Sequence, residues 1–390
     1  MLVLPLKPAV RFDLHAALAT WLDDSEQQVS FQPTNPLEFV VPKPDFDSAA
    51  CHTDLVRLQS LRHCLSDALL KPASHQSALE ENALADCHEY HAALLEFEKR
   101  GFPTLDDEHN GLALTWKGAF EHHAETHATL LWDRANAMFN IAALETSLAA
   151  ACSPADRVQC KQAVAHCQTA AGVLQVLRQL AESQDFRTVD FSNSLLLFWE
   201  NMCLAQAQNF IYRMAALAPD TKHSTLASLA QAAYQLFNEA LAAAQDPRLL
   251  SQVAQEAADW GAYCKAASML AASKAEYHTA VCHRLVHEWG PEIARLAEAV
   301  TKLQSLQQFC AKTDKNAGTG VTSYTARECK AILPVIQDRL LEAEKDNHNI
   351  YQETVPRTFK DIEAKQLARV PASLPASMMV PTKALFLSVV

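Results

Sequence analysis

Three histidines, His122, His123 and His127, fall within one hexapeptide, HHAETH. On a helix His123 and His127 share one face at i, i+4, a spacing that suits zinc. The zinc-protease pattern places a Glu directly after the first histidine of such a pair as general base, and here Ala124 stands there. No cysteine or further histidine lies at ligand spacing nearby, so the segment reads as a solvated His-rich turn. No metal and no cofactor is assigned. A metal-dependent enzyme built on His122–His127 stays as the rival to be tested. Cys87-His88 and Cys282-His283 place a thiol beside an imidazole, but adjacent helical residues point about 100° apart, badly placed for proton transfer. Phosphate-binding loops, a GxSxG nucleophile elbow and a dinucleotide fingerprint are all missing. No catalytic residue is assigned.

The elements that must carry these residues are helices. Only 8 of the 390 residues are glycine, far below the usual share of about 7%, which disfavours glycine-dependent nucleotide loops and sheets with many tight turns. Ala, Leu, Gln and Glu, good helix formers, dominate. The formal net charge is −12, from 45 acidic and 33 basic residues. There is no clustered basic footprint for nucleic acid and no polybasic run for anionic lipid; Lys360, Lys365 and Arg369 form a solvated face. The 11 cysteines are odd in number and lack a CxxC pair, which fits small buried thiols in a reducing cytosol. The N-terminus has no basic segment leading an apolar core, so it is not a secretory signal. No stretch approaches the roughly 18 to 20 apolar residues that span a bilayer.

Residues 1–50 differ from the rest. LVLPL and the Pro-broken stretch 29–46 predict short strands or extended segments. Helical periodicity then runs from about 52 to 347. It is clearest at 292–310, where Gly290, Pro291 and Glu292 mark a start and Ile293, Leu296, Val300, Leu303 and Leu306 form one apolar stripe. Further helices are predicted at 53–70, 78–99, 134–152, 155–183, 194–217, 223–245, 250–289 and 334–347. Alanines such as Ala135, Ala142, Ala143, Ala232 and Ala233 permit close helix approach. Short turns between helices suggest stacked helix pairs, without a strict 34-residue repeat. The stretch 312–323 predicts a loop. After Pro356, Pro371, Pro375 and Pro381 force an extended tail over 357–390, which must lie against the helices if Leu374, Leu385 and Phe386 are buried. Trp116, Trp132, Met138 and Phe139 read as core.

Seven segments now matter for their order: TWKGAF at 115–120, FNIAAL at 139–144, QTAAG at 168–172, LAQAQ at 204–208, AEYH at 275–278, EIARL at 292–296 and DNHNIYQETVP at 346–356. In that order they resemble the BRO-domain family, the Alix-like proteins associated with ESCRT. The resemblance implies one domain over 1–390, with an extended or β segment at 1–50, a helical core at 52–347 and a C-terminal wrap at 357–390. It implies a mainly α, curved, boomerang-shaped domain with a TPR-like core and a small N-terminal β element. It further implies a non-enzymatic adaptor, cytoplasmic and recruited to endosomes through its partners. The implied partner is the C-terminal amphipathic helix of a Snf/CHMP-type ESCRT-III subunit, in multivesicular-body sorting or membrane scission. A BRO-domain scaffold in pH or Rho signalling is the alternative.

By the same resemblance Ile211, followed by Tyr212, occupies the place of the family's aromatic anchor, three residues past LAQAQ. Leu229 matches a groove leucine, and Thr225 replaces an isoleucine. Lys161 matches a basic residue that meets the acidic partner, and Leu367 a late groove leucine. Ile211 and Leu229 are expected to form one exposed strip. Tyr351 matches a tyrosine open to phosphorylation, or else a packed aromatic that fixes the tail. Two departures stand out: a shortened connection between Phe120 and Trp132, and an insertion-like stretch at 31–50. The end at SVV, without a coiled-coil arm, a Pro-rich tail or a prenylation box, suggests a short family member or an excised domain.

Overall fold

In a computed structural model of the chain, residues 1–10, 14, 16, 48–68, 77–99, 112–121, 123–317 and 320–382 are described. The strands expected within 29–46, His122, and the tail residues Leu385 and Phe386 lie outside them. Backbone contacts group the chain into two compact units: 3–148 with 176–192 and 372–390, and 149–175 with 193–371 and the first two residues.

The 3–148 unit contains α1 (Ser48–Ala68), α2 (Ser77–Lys99), the strands β1 (Leu114–Lys117) and β2 (Ala124–His127), and most of α3 (Leu130–Ala151). The helical periodicity expected throughout 52–347 is broken by this hairpin. Leu114 and Trp116 are buried while Lys117 is exposed, the period of two that defines a half-buried strand. Leu114 pairs with His127 and Lys117 with Ala124. The turn needs Gly118, where a Cβ would meet the Glu121 carbonyl oxygen at 2.6 Å. The N-terminal segment joins the edge through an isolated antiparallel bridge from Ala9 to Trp116. Val10 N–H donates to the Thr115 carbonyl at 2.9 Å and Lys117 N–H to that of Pro8 at 3.0 Å.

Buried polar groups fix this unit. Asp133 at the start of α3 accepts from Arg62 Nε at 2.7 Å, Trp116 Nε1 at 2.5 Å and the Tyr90 hydroxyl. Asn140 clasps the backbone of Lys7, accepting from its N–H at 2.7 Å and donating to its carbonyl at 2.8 Å. The Lys7 ammonium pairs with Asp190 at 2.8 Å and sits 4.2 Å from the centre of the Phe191 ring. TWKGAF therefore supplies one donor to the Asp133 hub, Trp116, and FNIAAL supplies the clamp, Asn140. The tail's short helix α11 (Ala376–Met379) buries Met378, whose carbonyl lies 2.8 Å from His91 Nδ1.

The second unit is a succession of helices. Its members are the first part of α4 (Arg157–Gln184), α5 (Asn193–Ala216), α6 (His223–Ala244), α7 (Pro247–Gln252), α8 (Ala254–Leu285), α9 (Trp289–Ala317) and α10 (Ser323–Asp346). From α5 onward each long helix packs on the next long one. The α9 stripe falls as expected, with Ile293, Leu296, Val300, Leu303 and Leu306 all in one core with Cys329 and Ile336 of α10. Three boundaries differ from expectation. The helix expected at 250–289 is two, broken at buried Val253 (φ −136°) after Asp246 caps α7 through the Arg248 N–H. α9 continues to Ala317, through half of the loop expected at 312–323. α10 begins at Ser323 and runs through Pro334. Proline removes one helical hydrogen bond there, but buried Cys329, Leu333 and Ile336 hold both sides of it against α9.

The segments 275–278, 292–296 and 346–356 meet at one place. Asn347 accepts from Glu353 N–H and donates to its carbonyl, both at 3.0 Å, closing a turn in which Gln352 takes φ 55°. Glu353 accepts from the Gly290 N–H at 2.7 Å. A Cβ on Gly290 would collide with the Thr354 carbonyl oxygen, so only glycine fits. Tyr351 stacks on Trp289 with centroids 4.1 Å apart. Buried Arg295 pairs with Glu276 at 2.8 Å, donates to the Lys360 carbonyl and lies 4.0 Å from the Phe359 ring centre. These residues start the tail on its path.

Two buried histidines set a pH limit. Burial pushes His91 and His278 down to about 4. Neighbouring cations act in the same direction: Arg134 beside His91, Lys274 beside His278. The folded state therefore holds them neutral, while the unfolded chain protonates them near 6.5. Their contribution is complete above pH 6.5 and is lost as pH falls towards 4. The linkage amounts to at most about 2 kcal/mol for each residue at about pH 5. The melting temperature is expected to fall between about pH 7.5 and 5, and less in a His91→Gln, His278→Gln double variant. Equal falls in both proteins would contradict this.

Candidate functional site

The surface to which the sequence points lies on α4, α5, α6 and the tail, and a buried amide organises it. Gln208, the last residue of LAQAQ, is fully buried on α5. Its Nε2 donates to the Leu229 carbonyl of α6 at 3.2 Å and to the Lys365 carbonyl of the tail at 3.1 Å. Its Oε1 accepts from the N–H groups of Leu367 at 2.9 Å and Ala368 at 3.0 Å. All four hydrogen-bonding positions of the amide are used. Lys365 N–H reaches the Ser228 carbonyl at 2.9 Å, and Gln168 of α4 donates to the Arg369 carbonyl at 2.8 Å. Residues 365–369 thus form a strap across α5, held from both flanking helices.

The strap decides what the expected anchors present. Leu367 is 47% exposed, projecting from a backbone fixed by Gln208. Lys161 is exposed on α4 and Thr225 half-buried on α6. Ile211 and Leu229 do not form the expected exposed strip: they are only 7% and 2% exposed. The reason is that α5 is buried on almost every face, from Leu195 to Tyr212, mostly through apolar residues. A helix of that kind is enclosed by its neighbours. Tyr212 also turns away from the strip. Its hydroxyl lies 2.9 Å from His278 Nε2 on α8, and burial pushes its pKa up. Tyr351 is exposed, with one ring face stacked on Trp289 at the start of the tail. The role of Gln208 is not legible in the sequence, because a buried amide inside an Ala-rich helix has no periodic signature.

The histidine segment has a different geometry from the helix assumed for it. His127 lies on β2 and His123 just before that strand, where four residues span roughly 13 Å, too far for one ion. His127 packs 4.2 Å from Trp132 and 5.6 Å from Phe186, centroid to centroid. Exposed His123 instead stands 3.4 Å from Glu121 and 3.2 Å from Glu125. These three are the one His/Cys/carboxylate group of metal-holding geometry among the described residues. Exposed pairs of this kind contribute little to stability. Purified protein is expected to carry no stoichiometric zinc, and His123→Ala to change stability by less than about 0.5 kcal/mol. One tightly held zinc per chain, lost in that variant, would overturn this.

The two thiol–imidazole pairs are electrostatically wrong for nucleophilic chemistry. Burial pushes the Cys87 thiol up and His88 down to about 4, opposite to what a thiolate–imidazolium pair requires. Burial also raises Cys282, and His283 is engaged with Glu288 at 2.6 Å.

A helical body with a strapped tail and a two-stranded sheet defines the class of protein. Residues 26–390 match the model of the BRO1-like domain family, and the chain belongs to that family. It is 26% identical over 300 residues to the vacuolar protein-sorting protein BRO1 of Gibberella zeae, covering 75% of this chain and 28% of that protein. It is also 26% identical over 286 residues to the ALG-2 interacting protein X of Dictyostelium discoideum, covering 72% of this chain and 34% of that one. The chain therefore spans about a third or less of the length of these relatives. Among solved structures, the BRO1 domain in the ALIX BRO1 CHMP4C complex has the same fold, with a TM-score of 0.77 at 22% identity, over 97% of this chain and 98% of that one. The expected mainly α fold with a small β element is the observed one. No helix among the described residues is long and apolar enough to cross a membrane.

Proposed function

We propose that this chain is a non-enzymatic adaptor that docks the C-terminal amphipathic helix of a Snf/CHMP-type ESCRT-III subunit. In this role it serves endosomal sorting or membrane scission, as a cytoplasmic protein brought to endosomes by its partners. One observation carries the reading. Its fold matches, along nearly its whole length, that of a BRO1 domain whose solved structure is a complex with CHMP4C. The vacuolar protein-sorting relative agrees with it. The docking surface is the α4–α5–α6 face beside the strap, with Leu367 as the exposed apolar anchor. Thr225 forms part of the wall, and Lys161 at the rim meets an acidic residue of the incoming helix. Ile211 and Leu229 support this surface from beneath. Helix-in-groove recognition needs such apolar anchors with charges at the edge. Tyr351, exposed where the tail begins, is a site at which phosphorylation would act on its stack with Trp289.

Titration with a peptide of an ESCRT-III C-terminal helix tests the proposal. Binding is expected at micromolar strength, about 8 kcal/mol. Leu367→Asp should weaken it at least about thirtyfold, as loss of a central anchor does. Lys161→Ala should weaken it less and reduce its salt dependence, and Thr225→Ile should tighten it modestly. A chain that folds but ignores the peptide would favour a scaffold in pH or Rho signalling with another ligand.

A further inference from the structure

A cavity opens in the unit of 149–175 and 193–371, between α5, α8 and α10 with Pro154 at its edge, with a volume of about 340 Å³. It is not part of the α4–α5–α6 face. Tyr212, which lines it, follows Ile211 by one residue and so points about 100° away around α5. Its polar wall is an unequal ion cluster. Glu328 on α10 accepts from Lys274 Nζ of α8 at 2.5 Å and, through its other oxygen, from Arg213 Nη2 of α5 at 2.6 Å. Burial alone would raise the Glu328 carboxyl, but the two cations outweigh it and hold its pKa below the usual range. His278 on α8, beside Tyr277 in the lining, is neutral at pH 7, because burial and the His223 and Lys274 beside it push it down to about 4.

Burial lowers the pKa of the Lys274 ammonium, and the Glu328 carboxylate paired with it works against that. The geometry thus sets Lys274 and Arg213 together against one carboxylate. The ammonium has three N–H donors and the guanidinium five, and each gives one to Glu328. Lys274 is only 9% exposed, so water cannot fully compensate the excess charge. The rest of the lining is mainly apolar, with Ile332 and Ile336 inside and Leu217 and Val335 exposed at the rim. A phosphate or nucleotide would need more donors and a polar wall. The volume is near the lower end of the roughly 300–1,000 Å³ usual for ligand sites, room for two or three side chains. We propose that this cavity is a second docking site, which takes a short aliphatic peptide segment of a partner protein carrying one carboxylate. The acidic side chain meets Lys274 and Arg213, and its aliphatic neighbours cover Leu217 and Val335. This inference does not depend on the ESCRT-III reading.

The test uses two degenerate heptapeptide pools on the whole chain. One has a fixed central Glu between positions mixed from Leu, Ile and Val; the other has Gln at the centre. Fluorescence polarisation is expected to show saturable binding of the Glu pool and about tenfold weaker binding of the Gln pool, the loss of a charge-assisted contact. Val335→Asp, at an exposed rim position, should keep the parent melting temperature and abolish binding; Lys274→Gln should weaken it. Leu367→Asp, which disables the other surface, should leave it unchanged. Equal binding of the two pools, no saturable binding, or full binding by Val335→Asp would overturn the proposal. So would binding of decanoate without the Glu pool, which would assign the cavity to a lipid carboxylate.

Discussion

Asp133→Ala is expected to lower stability by about 3 to 5 kcal/mol, the usual cost of leaving a buried charge without its partner. Asp133 is fully buried, and so is Arg62, whose guanidinium rests on it at 2.7 Å. Removing the carboxylate also strands the Trp116 indole N–H and the Tyr90 hydroxyl. Each unsatisfied buried donor adds about 1 to 3 kcal/mol, though the groups act together and do not add simply. Arg62→Met combined with Asp133→Leu removes both charges and should recover part of the loss, since a hydrophobic replacement of a buried pair is often neutral. Urea unfolding of the single and double variants checks this. An Asp133→Ala protein as stable as the parent would show that the hub is not a stabilising element.

Deleting residues 357–390 should have an effect of similar size. The deletion leaves Gln208 with an unfilled carbonyl and one unused N–H, exposes the face under Ala368, and removes the Lys360 carbonyl and the Phe359 ring from Arg295. It also removes Met378 from His91. A loss on the order of 5 kcal/mol follows from the unsatisfied groups alone. For a body of this size that corresponds to a fall of roughly 5 to 10 °C in melting temperature, or to aggregation through the apolar surface uncovered. Gln208→Leu, which withdraws the strap's anchor without shortening the chain, should give a smaller fall in the same direction. An unchanged melting temperature for the truncated protein would show that the tail is a free linker.

Much of the fold was legible in the sequence because helical periodicity survives burial on one side. The α9 stripe from Ile293 to Leu306 is buried as its spacing required, and the alanines at 135, 142, 143, 232 and 233 are all enclosed. The hairpin left no readable pattern because four-residue strands are too short to establish a period of two: β1 has only two inward positions, Leu114 and Trp116, and β2 has no fully buried one. Pro334 predicted a helix start, yet packing on both sides of it outweighed one lost hydrogen bond. The candidate surface was less legible. α5 is buried on almost every face, its Glu200, Gln206 and Gln208 included, so no pattern could tell which of Ile211, Tyr212 and Gln208 would face solvent, a neighbouring helix or the tail. The family-like segments mark the residues that lock the tail, Gln208, Glu276, Arg295 and Asn347, rather than the side chains left open for a partner.

The most direct test of the adaptor account is to map where the partner helix sits. An ESCRT-III C-terminal peptide with a photoreactive benzophenone on its apolar face would be cross-linked to the intact chain and the products sequenced. The adducts are expected on α5 and α6 and within the strap at 365–369, and they should disappear in Leu367→Asp protein that still melts cooperatively. Adducts confined to the cavity between α5, α8 and α10, or a yield unchanged by Leu367→Asp, would contradict the account.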